Sequence, residues 1–121
     1  MPGIATLSGV VFDCPDPMAL ARFYSEVSGW AVNGHSDDEW AQLDTDNGWT
    51  LAFQHVDDYR APEWPSQKVP QQYHLDFDVP ELDDGERKVL ALGATKAEFQ
   101  PGTTFRVFLD PAGHPFCLCV E

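Results

Sequence analysis

In HLDFDV, residues 74–79, the apolar side chains Leu75, Phe77 and Val79 alternate with His74, Asp76 and Asp78, the period-two pattern of a half-buried strand. A helical period replaces it at residues 20–27, where Leu20, Phe23, Tyr24 and Val27 recur at i, i+3, i+4 and i+7 and predict one buried stripe. Asp16 is placed to N-cap that helix with Pro17 at its first position, and Ser28-Gly29 supplies the stop. A strand is expected before it, over residues 5–13, and three after it, over 30–33, 39–45 and 49–55, with turn-formers at Gly34 and Asn47-Gly48.

Beyond a Pro-rich connection, residues 57–72, the same order starts again. Residues 72–79 predict a strand, and Asp83 predicts a helix cap with Glu86 three positions later, the spacing of a capping box. Val89, Leu90 and Leu92 are expected on the buried side, Gly93 ends the helix, and strands follow at 95–99, 104–109 and 115–120 with turns at Pro101-Gly102 and Asp110-Pro111-Ala112-Gly113. The expectation is an α+β fold, a tandem repeat of one βαβββ module in a single domain, with half-modules at about 1–56 and 73–121.

Composition narrows the function classes. With 43% hydrophobic and 12% aromatic residues, 121 residues suffice for a packed core, and no apolar run approaches the roughly 18 residues of a membrane helix. The N-terminal MPGIATLSG lacks the basic and apolar blocks of a secretory signal, so a soluble cytoplasmic protein is expected. A formal charge of -13, from 20 acidic against 7 basic residues, repels phosphate backbones and argues against nucleic acid as a partner. The acidic clusters Asp37-Asp38-Glu39, Asp57-Asp58 and Asp83-Asp84 fall at expected loops and helix starts, as a solvated surface requires, with a residual bias toward cationic or amphiphilic ligands. Cys14, Cys117 and Cys119 are odd in number and include a C-x-C pair, which suits reduced thiols better than disulfides.

Four stretches in order, DCPDPMALARFYSEVSGW, LAFQHV with the following YRAPEWP, YHLDFDV and FLDPAGHPFCLC, resemble the vicinal oxygen chelate superfamily, which includes glyoxalase I, bleomycin-resistance proteins and extradiol dioxygenases. The resemblance covers nearly the whole chain and is greatest to small glyoxalase-like members. It implies paired βαβββ modules whose sheets curl around a cup-shaped pocket, and a homodimer. Metal-dependent members place His or Glu on four strands, two per half, around a divalent ion. The resemblance puts those positions at Gly9, Gln54, His74 and Cys117. Only His74 matches, because Gly9 has no side chain, Gln54 is a weak neutral ligand and Cys117 favours a soft ion.

Strand alternation then sorts side chains between core and cup. Val10, Phe12, Leu51, Phe53, Leu75, Phe77, Phe116 and Leu118 are assigned to the core. Gly9, Val11, Asp13, Ala52, Gln54, His74, Asp76, Cys117 and Cys119 go to the cup, together with Trp40, Gln42, Arg106 and Phe108, while Trp64 in the EWP of the connection forms its rim. A soft zinc site from Cys117, Cys119, His74 and His114 is conceivable, but positions 117 and 119 are about 6.6 Å apart along a strand, so both thiols are expected as small apolar lining. His74 is a candidate ligand hydrogen-bonder, general base or residual metal ligand, with Asp76 beside it; a histidine satisfied by its neighbours is the plainer alternative.

The function expected is a metal-free, glyoxalase-like small-molecule-binding protein that sequesters an amphiphilic or cationic ligand in an aromatic and acidic cup. Its ligand-binding residues are expected to be His74, Gln54, Asp76, Trp40, Arg106, Phe108, Cys117 and Trp64, with no metal, cofactor, nucleic-acid or membrane partner. The alternative is an enzyme of the same superfamily, a lyase, isomerase or dioxygenase, using a divalent metal or acid-base chemistry by His74 and Asp76.

Overall fold

Asp16 and Gly29 bracket the first helix as their chemistry suggests. In the computed structural model, which describes residues 3–120, the Asp16 side chain accepts from the Ala19 amide, and Gly29 adopts the left-handed φ of 81° that only glycine takes without strain. Between them runs α1 (Pro17–Ser28), burying Leu20, Ala21, Phe23 and Tyr24. Met1 and Pro2, part of the stretch read for a leader, lie outside the described residues, as does Glu121.

The chain divides into two compact units, Met1–Tyr59 and Arg60–Glu121. The first holds β1 (Gly9–Cys14), α1, β2 (Ala31–Val32), β3 (Trp40–Asp44) and β4 (Thr50–His55) in a four-stranded sheet of order β1-β4-β3-β2. β1 runs parallel to β4, with Asp13 opposite Gln54, and β3 runs antiparallel to β4, with Trp40 opposite Gln54. One face carries Phe12, Cys14, Ala41, Leu43, Leu51 and Phe53, all buried, and receives α1. Tyr24 of the helix stacks on Phe53 at 5.7 Å between ring centroids, and Phe12 meets both rings edge-on.

The second unit repeats the pattern with β5 (Leu75–Asp78), α2 (Leu82–Ala91), β6 (Thr95–Lys96), β7 (Phe105–Leu109) and β8 (Pro115–Cys119), ordered β5-β8-β7-β6. β5 and β8 are parallel, with Asp76 opposite Cys117. The architecture is therefore α+β, with two open four-stranded sheets and one helix in each βαβββ module. Phe116 stacks on Phe108 and meets Phe77 edge-on under α2. Residues 60–72, expected as a connection, belong to the second unit, where the Glu63 amide donates to the Val69 carbonyl.

Two expectations about α2 are corrected. Its N-cap is Glu81, whose backbone is extended and whose carboxylate accepts from the Asp84 amide at 2.8 Å; Asp83 lies inside the helix and accepts from Arg106 instead. Its buried face also differs, since Leu90 and Leu92 are 40% and 39% exposed and Val89 alone is fully buried. Gly85 explains how the helix sits. A Cβ there would stand 3.2 Å from Leu118 Cδ1 and 3.3 Å from Val79 Cγ1, so the bare backbone lies directly on the sheet and rotates the Leu90 side away. The turn into β8 is held by Asp110, 4% exposed, whose carboxylate accepts from the Ala112 and His114 amides at 2.8 and 3.0 Å. No helix among the described residues is long and apolar enough to cross a membrane.

Candidate ligand pocket and metal-ligating cluster

On the face of the second sheet opposite α2, strand register decides what meets. Asp76 lies beside Cys117 across the parallel β5–β8 pair, and Val107 and Phe105 lie beside Cys117 and Cys119 across the antiparallel β7–β8 pair. His74, just before β5, brings Nε2 to 3.2 Å from Asp76 Oδ1. These side chains line a pocket of about 330 Å³, completed by Trp64, Gln71, Pro101 and Pro115. Most of its wall is apolar, and Val107, Ala97 and Cys117 form a buried cluster against which Trp64, Phe105 and Cys119 pack.

Gln100 ties the segment after β6 to the sheet. Its amide nitrogen donates to the Ala97 and Val107 carbonyls at 2.8 Å, and its oxygen accepts from the Val107 amide at 2.9 Å. Sequence patterning singled out neither Gln100 nor Gln71, because both sit in irregular segments where alternation carries no information. Gln71 Oε1 is buried in the pocket wall without a hydrogen-bond partner, which leaves an acceptor for an occupant.

Burial pushes the Cys117 thiol up to about 12, helped by the negative charge of Asp76, a hydrogen bond with it, and Cys119. Burial likewise raises Cys119, with Asp76 and Asp78 adding to the effect. Both are neutral thiols at neutral pH, donors rather than nucleophiles. None of the three cysteines is in a disulfide. One imidazole nitrogen, one carboxylate oxygen and one sulfur, from His74, Asp76 and Cys117, lie within 4.8 Å of one another.

Of the residues assigned to ligand binding, His74, Asp76, Cys117 and Trp64 meet in this pocket. Arg106 and Phe108 do not, and their assignment is corrected. They stand opposite Leu118 and Phe116 in the register, on the face under α2. Phe108 is fully buried, and Arg106 donates to Asp83 and Glu86 at 2.8 and 3.2 Å. Alternation separates Arg106 and Phe108 from Phe105 and Val107 but does not say which set faces the pocket; on the face under α2, acidic residues of the helix supply the arginine's partners.

Gln54 and Trp40 belong to the first unit, on the exposed face of its sheet. Gln54 Nε2 donates to Asp13 Oδ1 at 2.7 Å. Trp40 Nε1 donates to Gln42, which donates to Asp44, which also receives Asn33. A divalent ion of the superfamily's kind does not fit the residues that the first unit offers. Gln54 is engaged with Asp13, and at Gly9 a Cβ would stand 2.6 Å from Thr50 Oγ1 and 2.7 Å from the Thr50 carbonyl oxygen, so no ligand side chain has room.

Comparison with known proteins agrees with this architecture. The profile of the glyoxalase-like domain matches residues 9–119. A glyoxalase/bleomycin resistance protein/dioxygenase family enzyme from Burkholderia phytofirmans superposes with a TM-score of 0.72 at 21% identity, covering 96% of this chain and 98% of its own. A glyoxalase-related enzyme from Fulvimarina pelagi gives 0.67 at 20% identity, over 98% and 89% of the two chains. The oxidase ChaP-H2 gives 0.65 at 20% identity, over 98% and 95%. At such identities the likeness shows the fold alone. Comparison with curated proteins finds no match.

Proposed function

The chain belongs to the glyoxalase-like domain family, and from that premise we propose that it is a small-molecule-binding protein that holds an amphiphilic or cationic ligand without needing a metal ion. The observation that carries this is the second unit's pocket, about 330 Å³, mostly apolar, with one polar cluster at His74 and Asp76. Apolar walls with a few placed polar groups are the usual make-up of a small-molecule site. The ligand's apolar body lies against Trp64, Phe105, Val107 and Pro115, and its polar head meets Asp76, His74 and the open acceptor of Gln71. A net charge of -13 favours a cationic head. The first unit carries its own exposed acidic, amide and aromatic groups, Asp13, Gln54 and Trp40, for ligand contact. Free thiols suit a reducing compartment such as the cytoplasm, and the family resemblance suggests a homodimer, which sedimentation velocity tests.

Thermal-shift titration with cationic aromatic compounds, beside neutral compounds of the same shape, tests the proposal. A dose-dependent rise in melting temperature is expected, selective for the cations, and lost in Asp76→Asn and Trp64→Ala. No stabilisation by any of them would refute it.

The 3.2 Å contact between His74 and Asp76 favours a second reading, acid-base catalysis with the carboxylate orienting the imidazole. A pH-rate profile that collapses in both His74→Ala and Asp76→Asn would establish that reading over simple binding.

A further inference from the structure

β5 and β8 bring three chemically different donors, all belonging to the second unit, to one side of the second sheet. We propose that His74, Asp76 and Cys117 form a binding site for a borderline divalent transition-metal ion, zinc foremost, contained within the second unit. The donor set is the argument for the metal. Imidazole, carboxylate and thiolate together suit zinc and its neighbours, whereas magnesium and calcium require shells made of oxygen.

The geometry suits it as well. Bonds of roughly 2.0–2.1 Å to nitrogen and oxygen put tetrahedral zinc ligands about 3.4 Å apart. His74 Nε2 and Asp76 Oδ1 stand at 3.2 Å, and all three donors fall within 4.8 Å of one another. Cys117 is anchored by burial at 6% exposure, while the His74 and Asp76 side chains, 41% and 60% exposed, have the freedom to turn toward an ion. Binding replaces the thiol proton of Cys117, which passes to solvent, with the metal. Three protein ligands leave a fourth position directed at the apolar pocket, the pattern of zinc sites that exchange water for a ligand atom.

This site is not the four-strand centre implied by the superfamily. Gly9 and Gln54 contribute nothing to it, and Asp76, which lies outside the four superfamily positions, takes their place through its pairing with Cys117. Cys119 lies about 6.6 Å further along the strand, too far for the cluster. The inference stands on donor geometry and not on organic-ligand binding, with which a metal would compete for Asp76.

The test is a cobalt(II) titration of the full chain, reduced and freed of metal with chelator, followed by absorption spectroscopy with no organic ligand present. One equivalent per chain is expected, with a thiolate-to-cobalt charge-transfer band that zinc displaces and magnesium and calcium do not. Cys117→Ser removes the band, Cys119→Ser keeps it, and His74→Ala and Asp76→Asn, at exposed positions that do not threaten folding, each weaken binding by at least about tenfold, the scale seen when a metal site loses its supporting groups. Absence of the band, its survival in Cys117→Ser, its loss in Cys119→Ser, or unchanged affinity in both exposed variants would overturn the site. Because the protein is ligand-free, such a failure leaves the thermal-shift result on organic cations untouched.

Discussion

Replacing Gly9 by alanine tests why the first unit has no ligand side chain at that position. Gly9 lies opposite Thr50 across the parallel β1–β4 pair, and an added Cβ would meet Thr50 Oγ1 at 2.6 Å, the Thr50 carbonyl oxygen at 2.7 Å and its carbon at 3.5 Å. Non-bonded heavy atoms sit best at about 3.5–4.0 Å, so the two strands must part or slide. Overpacking of this kind costs about 1–3 kcal/mol, offset by the ~0.4–1 kcal/mol that alanine gains from a stiffer unfolded chain. A net loss between about 0 and about 2.6 kcal/mol follows, with about 1.3 kcal/mol expected from the mid-range values. The threonine side chain can rotate away but its carbonyl cannot, so Thr50→Ala recovers only part of the loss. Urea unfolding followed by tryptophan fluorescence suits the assay, since Trp30, Trp40 and Trp49 all lie in the first unit. The midpoint should fall with little change in slope. If Gly9→Ala proved as stable as the parent or more so, the steric argument would fail, and Gly9→His would become a workable route to the missing ligand.

Asp110→Ala should cost about 2–4 kcal/mol in thermal unfolding, because two amides in a buried turn lose a charged acceptor; a loss below 1 kcal/mol would show that water replaces it. Cys117 should resist iodoacetamide at pH 8 in the native protein and react readily once unfolded, as mass spectrometry would show. Its folded-state pKa is raised from 9.0 to about 12, so its contribution to stability is complete below pH 9 and is lost as the pH rises toward 12; Cys117→Ala should flatten that alkaline decline in a pH series of melts. Arg106→Ala should lower the melting temperature slightly by releasing Asp83 and Glu86 of α2, yet leave binding of a cationic probe unchanged; a loss of binding would return Arg106 to the pocket.

Much of the fold was legible because local chemistry specifies it. Alternation places Leu75 and Phe77 on one face and His74 and Asp76 on the other, and Asp16 and Gly29 mark the ends of α1. Where two local signals conflicted, the sequence was a poorer guide. Asp83 with Glu86 had the spacing of a capping box, but Glu81 held the extended backbone and became the cap. In β7, alternation grouped Arg106 with Phe108 but left open which face the pair occupies. The pairing of Phe105 and Val107 with Cys119 and Cys117 puts those two on the pocket face and Arg106 and Phe108 on the other, a register that the strand's own alternation does not encode.

The order of elements, the repeat of the βαβββ module and the identity of His74 as a polar group on a strand face are properties of the sequence, since they depend on residue types and spacings a few positions long. That His74, Asp76 and Cys117 become neighbours depends on the parallel pairing of strands some 40 residues apart. So does the close approach of Thr50 to Gly9. Non-local pairing sets distances that no local pattern encodes, so whether His74 stands alone or within a set of metal donors was decided by tertiary structure.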